Sequence, residues 1–428
     1  MIGTGYVGLV SGACFADLGN TVFCVDKDHQ KINNLNNGNI PIYEPGLSEI
    51  VKKNHSSKRL KFTTDLSLAI KSSDIIFICV GTPTSRKNKS ADLQYVYKAA
   101  GEISKYINKF KIIITKSTVP VSTGDKIEKI ILKKKSKKYF EVVSNPEFLR
   151  EGDAIRDFRF PDRIVIGTNN KKIIKKLESL YEPLIKKGAN FFSTNRRGAE
   201  LIKYASNAFL ATKISFVNEI ANLCEKTGVN VEHVSIGMGL DKRIGGRFLR
   251  AGPAYGGSCF PKDTQAITVT ADNYGIDLSI IKSVIKSNSK RKISLTERVK
   301  HMLSNKIKNK KIAVLGVTFK PNTDDMRESS ILTMIPYLYK NKARISYYDP
   351  SGKKKQFKKF KKINFCKSVK EACFDADLII IHTEWDEFKS LDFKKISKNK
   401  KVIIYDLRNL YSAEKMKKLG IKYLSIGR

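Results

Sequence analysis

Gly3-Thr4-Gly5-Tyr6-Val7-Gly8 leads directly into LVSGACFADLG at residues 9–19, and TVFCVD follows at residues 21–26. This is a G-x-G-x-x-G motif opening a helical stretch. The first glycine permits a tight turn, the second lets backbone approach a pyrophosphate, and the third lets the helix pack closely on a strand; the helix start itself attracts phosphate. Alone the motif is weak. It gains force from Asp26, which closes an apolar strand 18 residues past Gly8, where an adenosine ribose hydroxyl needs an acceptor. An acid there favours NAD over NADP, because a 2′-phosphate would meet its charge, although Lys27 beside it weakens the inference slightly. Only Met1 and Ile2 precede Gly3. The first strand is therefore expected to be cut short, by truncation or a misassigned start. Ladder groups would then go unpaired, with a cost in stability and cofactor affinity.

Outward from this motif, short apolar runs rich in β-branched residues recur at 74–80 (DIIFICV), 111–115 (KIIIT) and 141–144 (EVVS), separated by helical patterns such as residues 90–110. They read as parallel strands buried on both faces. Residues 198–228 hold no proline, keep a helical apolar period and end at a glycine, which predicts one long helix; more helix is expected over 263–304. Strand signals return at 311–317, 343–348, 377–381 and 401–406. Neither half repeats eight times, which argues against a barrel. The expected fold is α/β, with two Rossmann-like doubly wound parallel sheets joined by a long central helix and a helical dimerisation region. Residues 1–195 make the NAD-binding domain with its shortened first strand, 196–300 the central helical domain, and 301–428 a second Rossmann-like domain.

The 428 residues carry 80 Lys and Arg against 41 Asp and Glu, a formal charge of +39. Such an excess invites a nucleic-acid or membrane reading. The lysines, however, crowd into connecting stretches such as 133–135, 353–355 and 358–362, with no basic helix and no interleaved aromatics. A solvated surface is the better reading, so no nucleic-acid partner is expected. No run of 18 apolar residues predicts a membrane span, and no signal peptide is expected. Seven cysteines, an odd number scattered along the chain without paired C-x-x-C units, predict no metal site and a reducing, cytoplasmic setting.

Two strand ends beyond the first motif carry polar turns: Val80-Gly81-Thr82-Pro83 and Lys116-Ser117-Thr118-Val119-Pro120. Carboxyl ends of such strands are where ligands bind. One cysteine differs from the rest. Cys259 lies in Gly256-Gly257-Ser258-Cys259-Phe260-Pro261-Lys262-Asp263. Two glycines allow close approach of a substrate, a loop entering a helix brings amide donors near the thiol, and Lys262 favours its anion. No histidine stands near it in sequence, which leaves a Cys–His hydrolase without direct support.

Together these pieces resemble the UDP-glucose/GDP-mannose dehydrogenase family. The matching segments are GTGYVGLVSG (3–12), VGTPT (80–84), KSTVP (116–120), NPEFLREG (145–152), YASNAFLATKISFVNEI (204–220), GGSCFPKD (256–263) and FKPNTDDMRESS (319–330), in family order. The resemblance implies NAD-dependent four-electron oxidation of a nucleotide sugar at C6. It implies catalytic roles for six residues: Lys203 and Asn207 holding an alkoxide, Asp263 and Thr118 positioning a water, Cys259 as covalent nucleophile, and Glu147 as general base. Implied cofactor contacts are Gly3, Gly5, Tyr6, Val7, Gly8, Asp26, Lys31, Gly81, Thr82, Thr118, Glu151 and Arg327. Implied substrate contacts are Glu147, Phe148, Leu149, Arg150, Glu151, Lys203, Asn207, Phe248, Leu249, Tyr255, Gly256, Gly257, Phe319 and Lys320, with Arg243 reaching a neighbouring subunit. The second α/β domain lacks the full glycine motif, so a uridine-binding role is implied there instead. The FLREG and SCFPKD wording favours UDP-glucose as substrate and UDP-glucuronate as product, over GDP-mannose or a UDP-N-acetylhexosamine. A homodimer or larger homo-oligomer built on the central helix is also implied. A basic nucleic-acid-binding protein on a degenerate fold, and a catalytically dead binding subunit, are disfavoured by the complete set of reactive residues.

Overall fold

The computed structural model describes residues 1–85, 89–398 and 401–428. The chain packs as two compact units, Met1–Ser206 with Gln265–Ile276, and Asn207–Thr264 with Asp277–Arg428.

The sheet of the first unit holds β1 (Val22–Val25), β2 (Leu60–Thr63), β3 (Ile75–Ile78), β4 (Lys111–Thr115), β5 (Phe140–Ser144), β6 (Arg163–Gly167) and β7 (Asn190–Thr194). β1 pairs with β2, and β3 to β7 form a run in sequence order. The stub before Gly3 joins the two groups. Ile2 bridges both Val25 and Ile78 in parallel register. Its N–H donates to Phe77 O at 2.7 Å, its carbonyl accepts from Cys79 N at 2.8 Å, and Gly3 N donates to Val25 O at 2.7 Å. The expected loss of ladder bonds therefore does not occur at the stub itself: its amides and carbonyls are paired on both sides. A second departure from the sequence reading lies at β5–β6, which meet antiparallel through Ser144 and Gly167. β6 and β7 are parallel to each other.

Alternation explains why the isoleucine runs become strands here. Ile112 and Ile114 of β4 enter one apolar cluster and Ile113 the other, so both faces are covered, as a parallel sheet between helices requires. Each such side chain contributes roughly 2–3 kcal/mol by leaving water.

The second unit repeats the plan. β8 (Lys311–Leu315), β9 (Arg344–Tyr348), β10 (Ile363–Phe365), β11 (Leu378–Ile381), β12 (Ile403–Asp406) and β13 (Lys422–Ser425) form one all-parallel sheet in the order β10-β9-β8-β11-β12-β13. This is the doubly wound order with its switch point beside the first strand. Leu378 and Ile380 face one cluster, Ile379 and Ile381 the other.

The long central helix spans Arg196–Thr227, and Gly228 beyond it takes φ +71°, the left-handed stop that glycine supplies. The helical signal expected over 263–304 is two helices, Phe260–Asp272 and Ser279–Met302, separated where Gly275 takes φ +70°. Among the described residues no helix is long and apolar enough to cross a membrane.

Candidate functional site

The glycine turn of the first unit has the shape its sequence predicts. Gly3 takes φ +99°, and a Cβ on it would meet Cys79 O at 2.8 Å. A Cβ on Gly8 would fall far inside contact with the Gly3 carbonyl, whereas Gly5 has open space around it and sits at the start of helix Tyr6–Asp17. Asp26 lies just past β1, and its Oδ2 accepts from Thr4 N (3.0 Å), Thr4 Oγ1 (2.7 Å) and Lys31 Nζ (3.1 Å). Burial alone would raise the Asp26 pKa; the Thr4 donors and Lys31 outweigh it and hold the carboxyl down at about 2. It is therefore anionic at neutral pH and opposes a 2′-phosphate. Open space at a helix start with an ionised acid beside it fits NAD, which Gly3, Gly5, Gly8 and Asp26 would hold.

Other predicted cofactor residues look inward. The Tyr6 hydroxyl bonds Glu44, whose carboxylate also accepts from Gly152 N at 2.6 Å and Ala154 N at 2.7 Å. Glu44, which no sequence motif marked, thus ties the cofactor helix to the NPEFLREG segment. Val7 packs against the core of the first unit. Thr82 Oγ1 donates to Thr118 O at 3.0 Å, and Ser117 Oγ donates to Val80 O at 2.7 Å, so the turns after β3 and β4, which include Gly81, are laced together.

Within NPEFLREG, Glu147 Oε2 accepts from Leu149 N at 2.6 Å. Its Oε1 lies 3.4 Å from Lys203 Nζ, both side chains being 5% exposed. The Phe148 ring meets two cations: Arg163 is 3.9 Å from its centre and Lys203 5.1 Å. Arg150 is engaged by Asp157, and Glu151 is half-buried beside it. Lys116, quoted in KSTVP but given no role from sequence, is also buried here. It donates to Asn145 Oδ1 at 3.1 Å, and burial lowers its pKa to about 8.

The second unit holds the thiol. Of the seven cysteines, six are buried and Cys259 alone is partly exposed. Burial raises the Cys14, Cys79 and Cys373 thiols to about 12, as inert core residues require. Cys259 immediately precedes helix Phe260–Asp272, and its carbonyl accepts from Asp263 N at 2.8 Å. Asp263 is fully buried. One of its oxygens accepts from Asn207 Nδ2 at 2.7 Å, and the other pairs with Lys262. The charge expected to act on the thiol is thus committed to Asp263.

Gly256 and Gly257 admit the protein's own groups. A Cβ on Gly256 would meet Glu328 O at 2.7 Å, and one on Gly257 would meet the Phe319 ring at 2.8 Å. Gly257 N donates to Arg327 O at 2.8 Å. Leu249 and Tyr255 are buried, and Phe248 and Tyr255 both edge onto Phe260. Lys320 Nζ lies 5.8 Å from the Phe319 ring. Arg327 pairs with Asp325, and the exposed Arg243 pairs with Asp241. Thr118, Glu147 and Lys203 thus belong to the first unit, and Asn207, Cys259 and Asp263 to the second; Lys203 and Asn207 are one turn apart on the central helix. Among the described residues, no cluster of His, Cys, Asp and Glu could hold a metal ion.

Three family descriptions match the chain in order: the UDP-glucose/GDP-mannose dehydrogenase NAD binding domain at residues 1–185, the central domain at 197–290 and the UDP binding domain at 313–413. A UDP-glucose 6-dehydrogenase of Rhizobium meliloti is 49% identical over 431 residues, covering 100% of this chain and 99% of that protein. The solved UDP-glucose dehydrogenase of Pyrobaculum islandicum superposes with a TM-score of 0.90 at 35% identity, over 96% of this chain and 94% of the other. A UDP-D-ManNAc dehydrogenase from Pyrococcus horikoshii superposes at 0.85 with 27% identity, over 100% and 98% of the two chains.

Proposed function

The chain belongs to the UDP-glucose/GDP-mannose dehydrogenase family, and from that membership we propose that it oxidises UDP-glucose at C6 to UDP-glucuronate, with four electrons leaving as two hydrides to two molecules of NAD. The observation that carries this reading is the one partly exposed thiol, Cys259, set at the start of a helix whose first turn holds Asp263.

NAD, when bound, supplies the hydride acceptor at both oxidations. Lys203 and Asn207 hold the developing alkoxide as the C6 hydroxyl loses its proton. Lys203 is 4% exposed, and a fixed cation acts strongly where water is excluded. Asp263 orients the Asn207 amide and, with Thr118, positions the water that takes up the proton. Loss of the first hydride from C6 leaves an aldehyde, and the Cys259 thiolate adds to its carbon, forming a C–S bond and a thiohemiacetal; a helix start favours the anionic sulfur. Addition is required because an aldehyde can lose hydride only after a nucleophile has joined it. Loss of the second hydride leaves a thioester. Water activated by Glu147 attacks it, breaking the C–S bond and releasing carboxylate and thiolate.

The chain works as a homodimer. Phe209, Phe216 and Leu223 recur at seven-residue spacing on the central helix with 65%, 47% and 59% exposure, and Leu240 on the next helix, Val231–Leu240, is 79% exposed. A second copy laid on this stripe would cover it; a monomer by light scattering would refute that. Free thiols throughout suit a reducing cytoplasm.

NADH formation with a panel of nucleotide sugars tests the reaction. About two NADH per UDP-glucose are expected, and Cys259→Ala is expected to abolish turnover. Turnover of GDP-mannose alone would overturn the sugar assignment.

A further inference from the structure

The loop over residues 248–257 leads directly to Ser258 and Cys259, and three buried side chains grip its backbone. Asn218 on the central helix accepts from Gly252 N at 2.8 Å. Asn288 on helix Ser279–Met302 accepts from Tyr255 N at 2.9 Å and donates back to Tyr255 O at 3.1 Å. Arg291, one turn further on, donates to Gly252 O through Nε at 3.2 Å and Nη2 at 3.0 Å. All three are at most 6% exposed. Between the two gripped residues stands Ala254, with φ +126°, a conformation an alanine rarely adopts and one that persists only where its surroundings hold it.

We propose that Asn218, Asn288 and Arg291 are positioning residues for Cys259, clamping the loop at Gly252 and Tyr255 so that the strained residue between them, and the thiol that follows, keep one geometry. The inference rests on the thiol chemistry proposed above. Its specificity lies in where the bonds fall. A buried guanidinium is costly and is ordinarily matched by a carboxylate. Here the Arg291 cation is satisfied by neutral acceptors: the Gly252 and Asn218 carbonyls and the Asn222 amide oxygen. Asn288 reads Tyr255 as a neighbouring strand would, one donor and one acceptor on a single residue; an amide can do this and a carboxylate cannot. Of these bonds, five end on the main chain of the nucleophile loop, at Gly252 and Tyr255, and Arg291 ties that loop to the central helix through Asn218 and Asn222.

The test uses the full-length enzyme with UDP-glucose and NAD, and times alkylation of Cys259 by iodoacetamide using peptide mass spectrometry. Asn288→Ala is expected to lower kcat roughly 30-fold, with KM for NAD changed less than about twofold. Cys259 alkylation should accelerate roughly fivefold as the loop loosens. Asn218→Ala should move both readouts in the same direction by roughly a third as much. Ser287→Ala, which removes only a bond to Glu219 on the same two helices, should match the unaltered protein. Unchanged kcat and unchanged alkylation in the two asparagine variants would overturn the clamp, as would a fall in kcat fully matched by the Ser287 control. If Asn288→Ala does not fold, Asn218→Ala, which spares the Tyr255 pair, decides alone. If the unaltered protein turns over no nucleotide sugar, the catalytic reading fails while the alkylation arm still decides the clamp.

Discussion

Each unit opens its sheet with a glycine turn at the end of a first strand, and each turn faces an acid just past the second strand. In the first unit Asp26 accepts from Thr4 N; in the second, Asp349 accepts from Val317 N at 2.7 Å and Thr318 N at 3.3 Å. The outcomes differ. Helix Tyr6–Asp17 begins inside the first motif and leaves open space at Gly5. In the second unit the next helix, Ile331–Lys340, begins well downstream, and the carboxylate of Asp349, 1% exposed, fills the anion seat that the two amides make. Strand order alone therefore does not make a dinucleotide site. What makes it is a helix start left open to a ligand, and the second unit presents instead a long loop carrying Phe319, Lys320 and Arg327.

Exchanging the glycines should separate the two turns most sharply. Gly8→Ala, whose Cβ would collide with the Gly3 carbonyl, is expected to weaken NAD roughly 100-fold by calorimetry. Gly316→Ala, crowded against Thr383 with φ +75°, should lower the melting temperature and leave NAD affinity unchanged. If the second variant weakened NAD as the first does, the distinction between the turns would collapse. The acids come next. Asp26→Asn should weaken NAD about tenfold and improve use of NADP. Asp349→Ala, which orphans two buried amides, should cost about 1–3 kcal/mol in denaturant unfolding with NAD unaffected.

A third helix start gives the smallest effect and sharpens the rule. Helix Thr123–Leu132, after the KSTVP turn, is closed by Glu200 of the central helix, which accepts from Ser122 N and Gly124 N, both at 2.7 Å. Burial raises the Glu200 pKa to about 7 despite those donors. A carboxyl whose folded pKa is raised adds stability below its unfolded value and loses it as pH climbs through the folded one. Between pH 6 and 8 the unaltered protein should therefore lose about 1 kcal/mol relative to Glu200→Gln in denaturant titrations; parallel pH curves would show that Glu200 does not titrate in this range.

Much of this was legible in the residues. The glycine motif, the isoleucine runs of β4 and β11 and the motif around Cys259 declare themselves because local spacing suffices. β7 escaped because its residues, largely exposed, form no apolar run. The stub at Ile2 escaped because its partners are supplied by strands read separately. Glu44, Lys116 and the clamp residues escaped for another reason. They are single polar side chains on helices, turns and loops, and their meaning comes from backbone brought near by the fold; Asn288 lies 33 residues from Tyr255. The paired glycines were legible as a need for space, but not as space taken by Phe319.

That last packing has a consequence for how such a sequence can evolve. The ring of Phe319 fills the room that Gly257 leaves open, and Glu328 fills that at Gly256, so neither segment can drift alone. A side chain gained at either glycine must be met by a smaller residue or a shifted turn across the contact. The history of the nucleophile loop is therefore expected to be written twice in this family, as paired changes at positions far apart in the chain.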